Sequence, residues 1–129
     1  MSDPVERLRA ICLALPEAFE KASHGEAGFF VQITPKGTKQ FVAVDDHHHG
    51  GEMLAFWCPA APGAQEELIA QDSQQFFRPP YVGHRGWVGV RIDIDPDWDE
   101  ITEIVTDAYR QVVPPRLAAR LDEPSPDAK

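Results

Sequence analysis

The hydrophobic residues change their spacing twice along this chain, and that change constrains the fold more than any other feature. Val5, Leu8 and Cys12 recur every three or four residues, which predicts an amphipathic helix. Between residues 29 and 92, apolar residues alternate with others in several segments, which predicts strands. After Asp97 the helical spacing returns. Strands gathered between helices, without regular βαβ units, predict an antiparallel sheet with helices on one face.

Turn and capping residues divide the chain into elements. The sequence PKGT at residues 35–38 predicts the turn of a hairpin, and Asp3 and Asp97 each predict a helix N-cap. In chain order the predicted elements are a helix from residue 4, strands at 29–33, 40–44 and 53–58, a short helix at 64–70, strands at 76–78 and 87–92, and a long helix after 97. The predicted fold class is α+β, a two-layer α/β sandwich with a mainly antiparallel sheet and the order α-β-β-β-α-β-β-α.

The length of the chain suits a single domain. Its 129 residues can bury a core without staples, and we expect a domain at residues 1–121 with a disordered acidic tail at 122–129. Cys12 and Cys58 lie in hydrophobic segments without CxxC spacing, which predicts buried, reduced thiols. The sequence shows neither a run long enough for a membrane helix nor a signal peptide, so we expect a cytoplasmic protein without a membrane partner.

Charge is distributed unevenly along the chain. The formal net charge is -9, yet residues 76–92 (FFRPPYVGHRGWVGVRI) contain no acidic residue. Residues 93–107, which follow, contain seven acidic residues and no basic one. An acidic protein is by default not a nucleic-acid binder, so DNA binding would require a local basic site.

Five basic side chains flank two predicted loops and are candidate contacts to DNA. A Lys or Arg that meets a phosphate releases condensed counterions, and two loops can straddle a phosphate backbone. The candidates are Lys36, Lys39, Arg78, His84 and Arg85. The alternative, which the sequence leaves open, is that these side chains are merely solvated on the surface of an acidic protein.

Strand alternation defines a second candidate surface. If Val88, Val90 and Ile92 face the helices, the residues between them point to the opposite face of the sheet. The same argument predicts an interaction surface formed by Phe30, Trp57, Trp87 and Arg91. Large aromatic side chains there suit docking of a protein, a second copy of the chain or a small ligand. The alternative is that a loop or the C-terminal segment covers them.

Metal binding and catalysis have little support in the sequence. Residues 45–49 (DDHHH) and Glu52 contain metal-ligand types, but three consecutive histidines cannot point to one centre, so we expect a polar loop and no metal. The neighbours Ser23 and His24 do not form a nucleophile and its base. The glycine spacings match neither a P-loop nor a dinucleotide motif. We therefore expect no enzyme and no cofactor.

Two segments of the C-terminal half resemble a known family. Residues 58–93 and 97–118 strongly resemble the MmcQ/YjbR family, and PPYVGHRGWVGVR is the most specific part. SHGEAGFFV and FVAVDDHHHGGEMLAFWC fit it more loosely. The resemblance implies a small cytoplasmic bacterial protein with a two-layer α/β fold of the secretion-chaperone-like kind. The family is often labelled DNA-binding, and the resemblance implies no catalytic residues.

Together these observations predict a non-enzymatic MmcQ/YjbR-like protein that binds DNA weakly through its basic hairpin and loop residues. The alternative is a protein-interaction or self-association module that uses the open aromatic face of the sheet, with a protein partner or a second copy as ligand. A small-ligand pocket between the sheet and the loops is a third hypothesis.

Overall fold

The computed structural model describes residues 3–23, 25–46 and 53–121. Within these ranges the elements are α1 Pro4–Leu13, β1 Ala18–Ser23, β2 Glu26–Gln32, β3 Thr38–Asp46, β4 Leu54–Cys58, α2 Ala64–Gln71, β5 Phe76–Phe77, a 3-10 turn Gly83–Arg85, β6 Val88–Arg91, α3 Trp98–Val112 and α4 Pro115–Arg120. The strands form a sheet in the order β1-β2-β3-β4-β6-β5, and neighbouring strands are antiparallel. The predicted α+β class and the order of the predicted elements are confirmed.

Strand β1 lies where the sequence pattern predicts only a polar connection, at residues 17–25. Its side facing the helices carries Ala18, Glu20 and Ala22, so it lacks the large apolar residues that mark a half-buried strand. Arg9 of α1 donates two hydrogen bonds to the Glu20 carboxylate, at 2.7 and 3.0 Å, and these bonds tie the edge strand to the helix. The hydrogen bonds from Arg9 also lower the pKa of Glu20.

The hydrophobic core lies between the helices and one side of the sheet. The cross-strand pairs Val44–Phe56 and Phe56–Val90 place their side chains on this side, and Val88 and Ile92 are buried with them as predicted. The helices contribute the buried side chains Leu8, Cys12, Ile101, Val105, Ala108, Tyr109 and Leu117. The opposite side of the sheet is therefore left for other contacts.

The helices are fixed by caps and by a buried tyrosine. Both predicted N-caps are present, because the carboxylates of Asp3 and Asp97 each accept a backbone N–H from two residues further along. In α3, the Tyr109 hydroxyl donates a 2.6 Å hydrogen bond to the Pro16 carbonyl oxygen, which lies in the turn before β1. This bond holds the last long helix to the beginning of the sheet.

Several sequence predictions concern the segment after β3 and the chain end. Asp45 and Asp46 are not in a loop as expected; they end β3, because their pairing with β4 continues to that point. His24, residues 47–52 and the predicted tail at 122–129 lie outside the described ranges. In the ranges that are described, no helix is long and apolar enough to cross a membrane. The extent of the domain and the cytoplasmic location stay predictions.

Candidate functional site

The side of the sheet that faces away from the helices carries an aromatic surface. A row of directly paired residues crosses the sheet from β1 to β5 on this side, namely Lys21, Gly28, Ala43, Trp57, Gly89 and Phe77. Phe30 follows Gly28 by two residues and Trp87 precedes Gly89 by two, so alternation places both rings on the same side, where Phe30 pairs with Phe19. We name Phe19, Phe30, Trp57, Phe77 and Trp87 the aromatic face.

The rings of the aromatic face pack on the sheet to different degrees. Phe19 and Phe30 stack at one edge, with ring centroids 5.8 Å apart. At the other edge the Phe77 ring lies directly over Gly89, where an added Cβ would come within 2.3 Å of the ring. Trp57 is half-buried, whereas Trp87 is only 8% exposed, less than an open position would allow. The expected open position of Trp87 is thus corrected, and Arg85 of the preceding loop lies over its ring.

That loop, residues 78–86, is held by a buried side chain of α2. Gln65 is 4% exposed, and its Nε2 donates to the carbonyl oxygens of Gly83 at 2.8 Å and Trp87 at 2.5 Å. Between these two anchors the chain makes the 3-10 turn and ends it at Gly86, whose φ of +88° suits glycine. Gln65 therefore fixes where the loop lies over the sheet.

Basic side chains lie against the aromatic rings. The Arg85 guanidinium carbon lies 5.8 Å from the centroid of the Trp87 ring, and Lys21 Nζ lies 5.7 Å from that of Phe30. Both distances fit cation–π contacts. These contacts keep positive charge beside the ring faces.

Arg91, which was predicted for the same surface, is engaged elsewhere. Its guanidinium donates to the Asp93 carboxylate, with 3.1 Å between Nε and Oδ1. Partial burial acts to raise the pKa of Asp93, but the hydrogen bonds from Arg91 and from the Leu54 N–H outweigh it and lower the pKa. Arg91 thus contributes little free positive charge to the aromatic face.

Trp57 and Trp87 of the aromatic face, the loop 78–86 and Gln111 and Val112 at the end of α3 line a cleft of about 1030 Å³. This volume is at the upper end of the range of roughly 300–1,000 Å³ that is typical of ligand pockets. The first residues of β3 and β6 and the last residue of β4 lie at the same end of the strands. The hairpin turn before β3 and the loop 78–86 before β6 therefore both lie at that end of the sheet. The side chains that line the cleft include Lys39, Trp57, Tyr81, Arg85 and Trp87, with Glu26 and Asp45 also in the lining.

The cleft brings together part of each predicted site. Lys39 and Arg85 of the predicted DNA contacts line it together with Trp57 and Trp87 of the predicted interaction surface. The remaining candidates stay outside its lining; they are Lys36, Arg78, His84, Phe30 and Arg91. Lys36, Arg78 and His84 are exposed on the surface around it.

Sequence reasoning missed two residues that shape the cleft. Tyr81 is 73% exposed and has a φ of +67°, an uncommon conformation for an aromatic residue. Tyr81 follows Pro79 and Pro80 and precedes Gly83 by two residues, and these turn-forming neighbours are the signal that could have indicated its exposed position. Gln65 gave no signal, because it occupies an ordinary helix position and its partners lie 18 and 22 residues away.

The two thiols lie in the core and not in the cleft. Cys12 and Cys58 are both buried, and burial raises the pKa of each thiol far above its usual range. Within the described ranges there is no group of three or more His, Cys, Asp or Glu side chains that could hold a metal ion. The histidines of residues 47–49 lie outside those ranges.

The family of the chain is shown by its match to a family model. The family model of YjbR matches residues 13–111, which include the strands of the sheet and the loop 78–86. The chain belongs to the YjbR family. Among curated proteins, none matches the chain at a significant level.

A solved structure shares the YjbR fold. It is the crystal structure of protein DR2400 of Deinococcus radiodurans, which contains a domain of the DUF419 family. The two chains superpose with a TM-score of 0.73 at 20% sequence identity, over 100% of this chain and 96% of the other. At this identity the likeness concerns the fold alone.

Proposed function

We propose that this YjbR protein is a non-enzymatic binding protein that binds DNA weakly through the cationic end of its cleft. The observation that carries the proposal is that Lys39, near the start of β3, and Arg85, in the 3-10 turn before β6, line one concave surface together with tryptophan rings. Lys36 lies in the hairpin turn before β3, and His84 lies in the 3-10 turn before β6. Both turns are at the same end of the strands. Several cations from two loops suit the contacts that a phosphate backbone makes.

The net charge of -9 opposes this function but does not exclude a local site. The acidic residues Asp99, Glu100 and Glu103 lie in the first half of α3, whereas Gln111 and Val112 at its end line the cleft. At physiological salt the Debye length is about 8 Å, so charges in the first half of α3 are largely screened at the cleft. The field of the whole molecule still slows the approach of a polyanion, and for this reason we expect weak affinity.

We also propose that the protein has no enzymatic activity. Both cysteines are buried and their raised pKa keeps them as thiols, so neither is a ready nucleophile. The cleft is lined by the rings of Trp57, Tyr81 and Trp87 together with Lys39 and Arg85, and such side chains can bind a ligand. A binding surface explains this arrangement more simply than a reaction does.

Fluorescence anisotropy with labelled duplex and single-stranded DNA, at about 50 mM salt, tests the function, because low salt favours phosphate contacts. We expect saturable binding that the double substitution Lys39→Glu and Arg85→Glu removes. Arg7→Glu is the matched control, because Arg7 is an exposed cation on α1 that does not line the cleft. The absence of binding to either DNA would contradict the proposal, as would equal loss in the control.

A second candidate function is self-association or docking of a protein through the aromatic face. The favouring observation is that Phe19, Phe30, Trp57 and Phe77 are only half-buried, so aromatic surface remains exposed on one side of the sheet. Sedimentation velocity over a range of concentrations tests it. A dimer that Trp57→Ala converts to a folded monomer would support this candidate, and a monomer at all concentrations would exclude self-association.

A further inference from the structure

We infer that the aromatic face is a stacking platform for unpaired bases, so that the DNA ligand is single-stranded. This inference rests on the proposed DNA binding and specifies the ligand. An antiparallel sheet that has helices on one side and aromatic rings on the other can stack successive bases, because every base has a π-face. The aromatic face has this arrangement, with rings contributed from both edges and the centre of the sheet.

The row that crosses the sheet contains both small and large side chains. Ala43 lies beside Trp57 on this row, and Gly89 lies between Trp57 and Phe77. Phe30 lies on β2, two residues beyond Gly28 of the row. Neighbouring strands lie about 4.8 Å apart, so Phe30 and Trp57, which are two strands apart, are separated by roughly 10 Å across the sheet. The Gln40 amide and the Phe30 ring cover Gly28, where an added Cβ would come within 2.7 and 3.0 Å of them. Ala43 is therefore the small residue beside Trp57 over which a base could lie against the indole ring.

Cations lie where the backbone of a stacked strand would run. Lys21 lies over the Phe30 ring and Arg85 over the Trp87 ring, while Lys39 lines the same cleft as Arg85. A single strand whose bases reach the rings would bring its phosphates to these side chains. The aromatic rings and the cations together therefore fit a single-stranded nucleic acid better than either group of side chains would alone.

Tyr81 adds an exposed ring at the rim of the cleft. It is 73% exposed, and its positive φ holds it in a conformation that costs free energy unless the surroundings maintain it. The neighbouring anchor is the hydrogen bond from Gln65 to Gly83, which fixes the loop just after Tyr81. Because it is exposed at the rim, this ring can be reached by a terminal base of a strand bound in the cleft.

Duplex DNA fits this surface poorly. The base faces of a duplex are stacked on one another, so half-buried rings on a sheet cannot reach them without unpairing. A duplex also presents one negative charge per about 1.7 Å of its axis, which an acidic protein repels more strongly than it repels a single strand. These two effects favour the unpaired ligand.

Anisotropy titrations of the unaltered protein with three probes of equal length test the inference. The probes are oligo-dT, the same strand annealed to oligo-dA, and an oligonucleotide that has abasic sites throughout. We expect oligo-dT to bind at least about tenfold more tightly than the abasic strand, because stacking supplies much of the affinity, and more tightly than the duplex. If the abasic strand or the duplex binds as tightly as oligo-dT, stacking is excluded while DNA binding stands. If none of the probes binds, the proposed function itself is wrong.

Substitution of the exposed Tyr81 gives a second test, which leaves the packing of the hydrophobic core unchanged. Tyr81→Ser should weaken oligo-dT binding several-fold and leave abasic binding unchanged. Ile94→Ser is the matched control, because Ile94 is also an exposed apolar residue but does not line the cleft. Equal effects of Tyr81→Ser on both probes would contradict a stacking role for this ring.

Discussion

The side-chain amide of Gln65 donates a 2.5 Å hydrogen bond to the carbonyl oxygen of Trp87, and the same nitrogen bonds Gly83. Gln65→Leu would remove the donor and leave two carbonyl oxygens near a buried apolar side chain. Each unsatisfied buried group costs about 1–3 kcal/mol, so we predict a loss of at least this much in the free energy of unfolding. Urea denaturation measures it.

The same substitution should also weaken DNA binding, because it releases the loop that carries Arg85. Gln71→Leu is the matched control, since Gln71 is an exposed residue of the same helix. If both variants unfold at the same urea concentration as the parent, Gln65 does not hold the loop.

Phe77 and Gly89 test the packing of the aromatic face. A Cβ at residue 89 would lie 2.3 Å from the Phe77 ring, so Gly89→Ala forces that ring to move. Such overpacking costs typically 1–3 kcal/mol in the free energy of unfolding. In a Phe77→Ala background the same change should cost much less, because the ring is gone. A double-mutant cycle measures the difference, and additive effects would show that the ring does not lie over Gly89.

Stability should fall at alkaline pH because of the two buried thiols. Burial raises the pKa of Cys12 and Cys58 above that of an unfolded thiol, about 8.5, so the folded state keeps protons that the unfolded state loses. Their contribution to stability is complete below this pH and decreases by up to about 1.4 kcal/mol per pH unit for each thiol above it. Urea denaturation at neutral pH and at about pH 10 measures the decrease. Cys58→Ala should reduce the slope, and an unchanged slope would contradict burial of this thiol.

The salt dependence of DNA binding should report the number of phosphates that the protein contacts. Each contact to a single strand contributes about -0.7 to the slope of log affinity against log salt, so Lys21, Lys39 and Arg85 together predict about -2.1. Lys39→Gln should make the slope less steep by about 0.7, whereas Arg7→Gln, outside the cleft lining, should leave it unchanged. Titrations at several salt concentrations give the slopes, and an equal change in both variants would mean that Lys39 does not meet a phosphate.

The elements that were predicted correctly are those whose signals are local. The caps Asp3 and Asp97 and the inward positions Val88, Val90 and Ile92 follow from residues within a few positions of one another, and the structure has all of them. The side of the sheet on which Phe30, Trp57 and Trp87 lie also followed from alternation, because the side-chain period of a strand is fixed.

What the sequence did not predict depends on distant partners. Strand β1 is stabilised by pairing with β2 and by the bond between Arg9 and Glu20, and neither leaves a hydrophobic pattern. The burial of Trp87 depends on the anchor at Gln65, 22 residues away. The placement of Lys39 and Arg85 in one cleft depends on strand order, which brings the start of β3 and the loop before β6 to the same end of the strands. Long-range packing of this kind cannot be derived from spacing alone.

The location of bound single-stranded DNA is the central claim, and the indole N–H signals of the three tryptophans test it most directly. Trp57 and Trp87 line the cleft, whereas Trp98 lies on α3 with Arg7 over its ring at 4.7 Å. In a ¹⁵N-correlated NMR titration with oligo-dT, we predict that the indole signals of Trp57 and Trp87 shift and that the signal of Trp98 does not. Shifts confined to Trp98, or no shift of the two cleft tryptophans at saturation, would contradict the account.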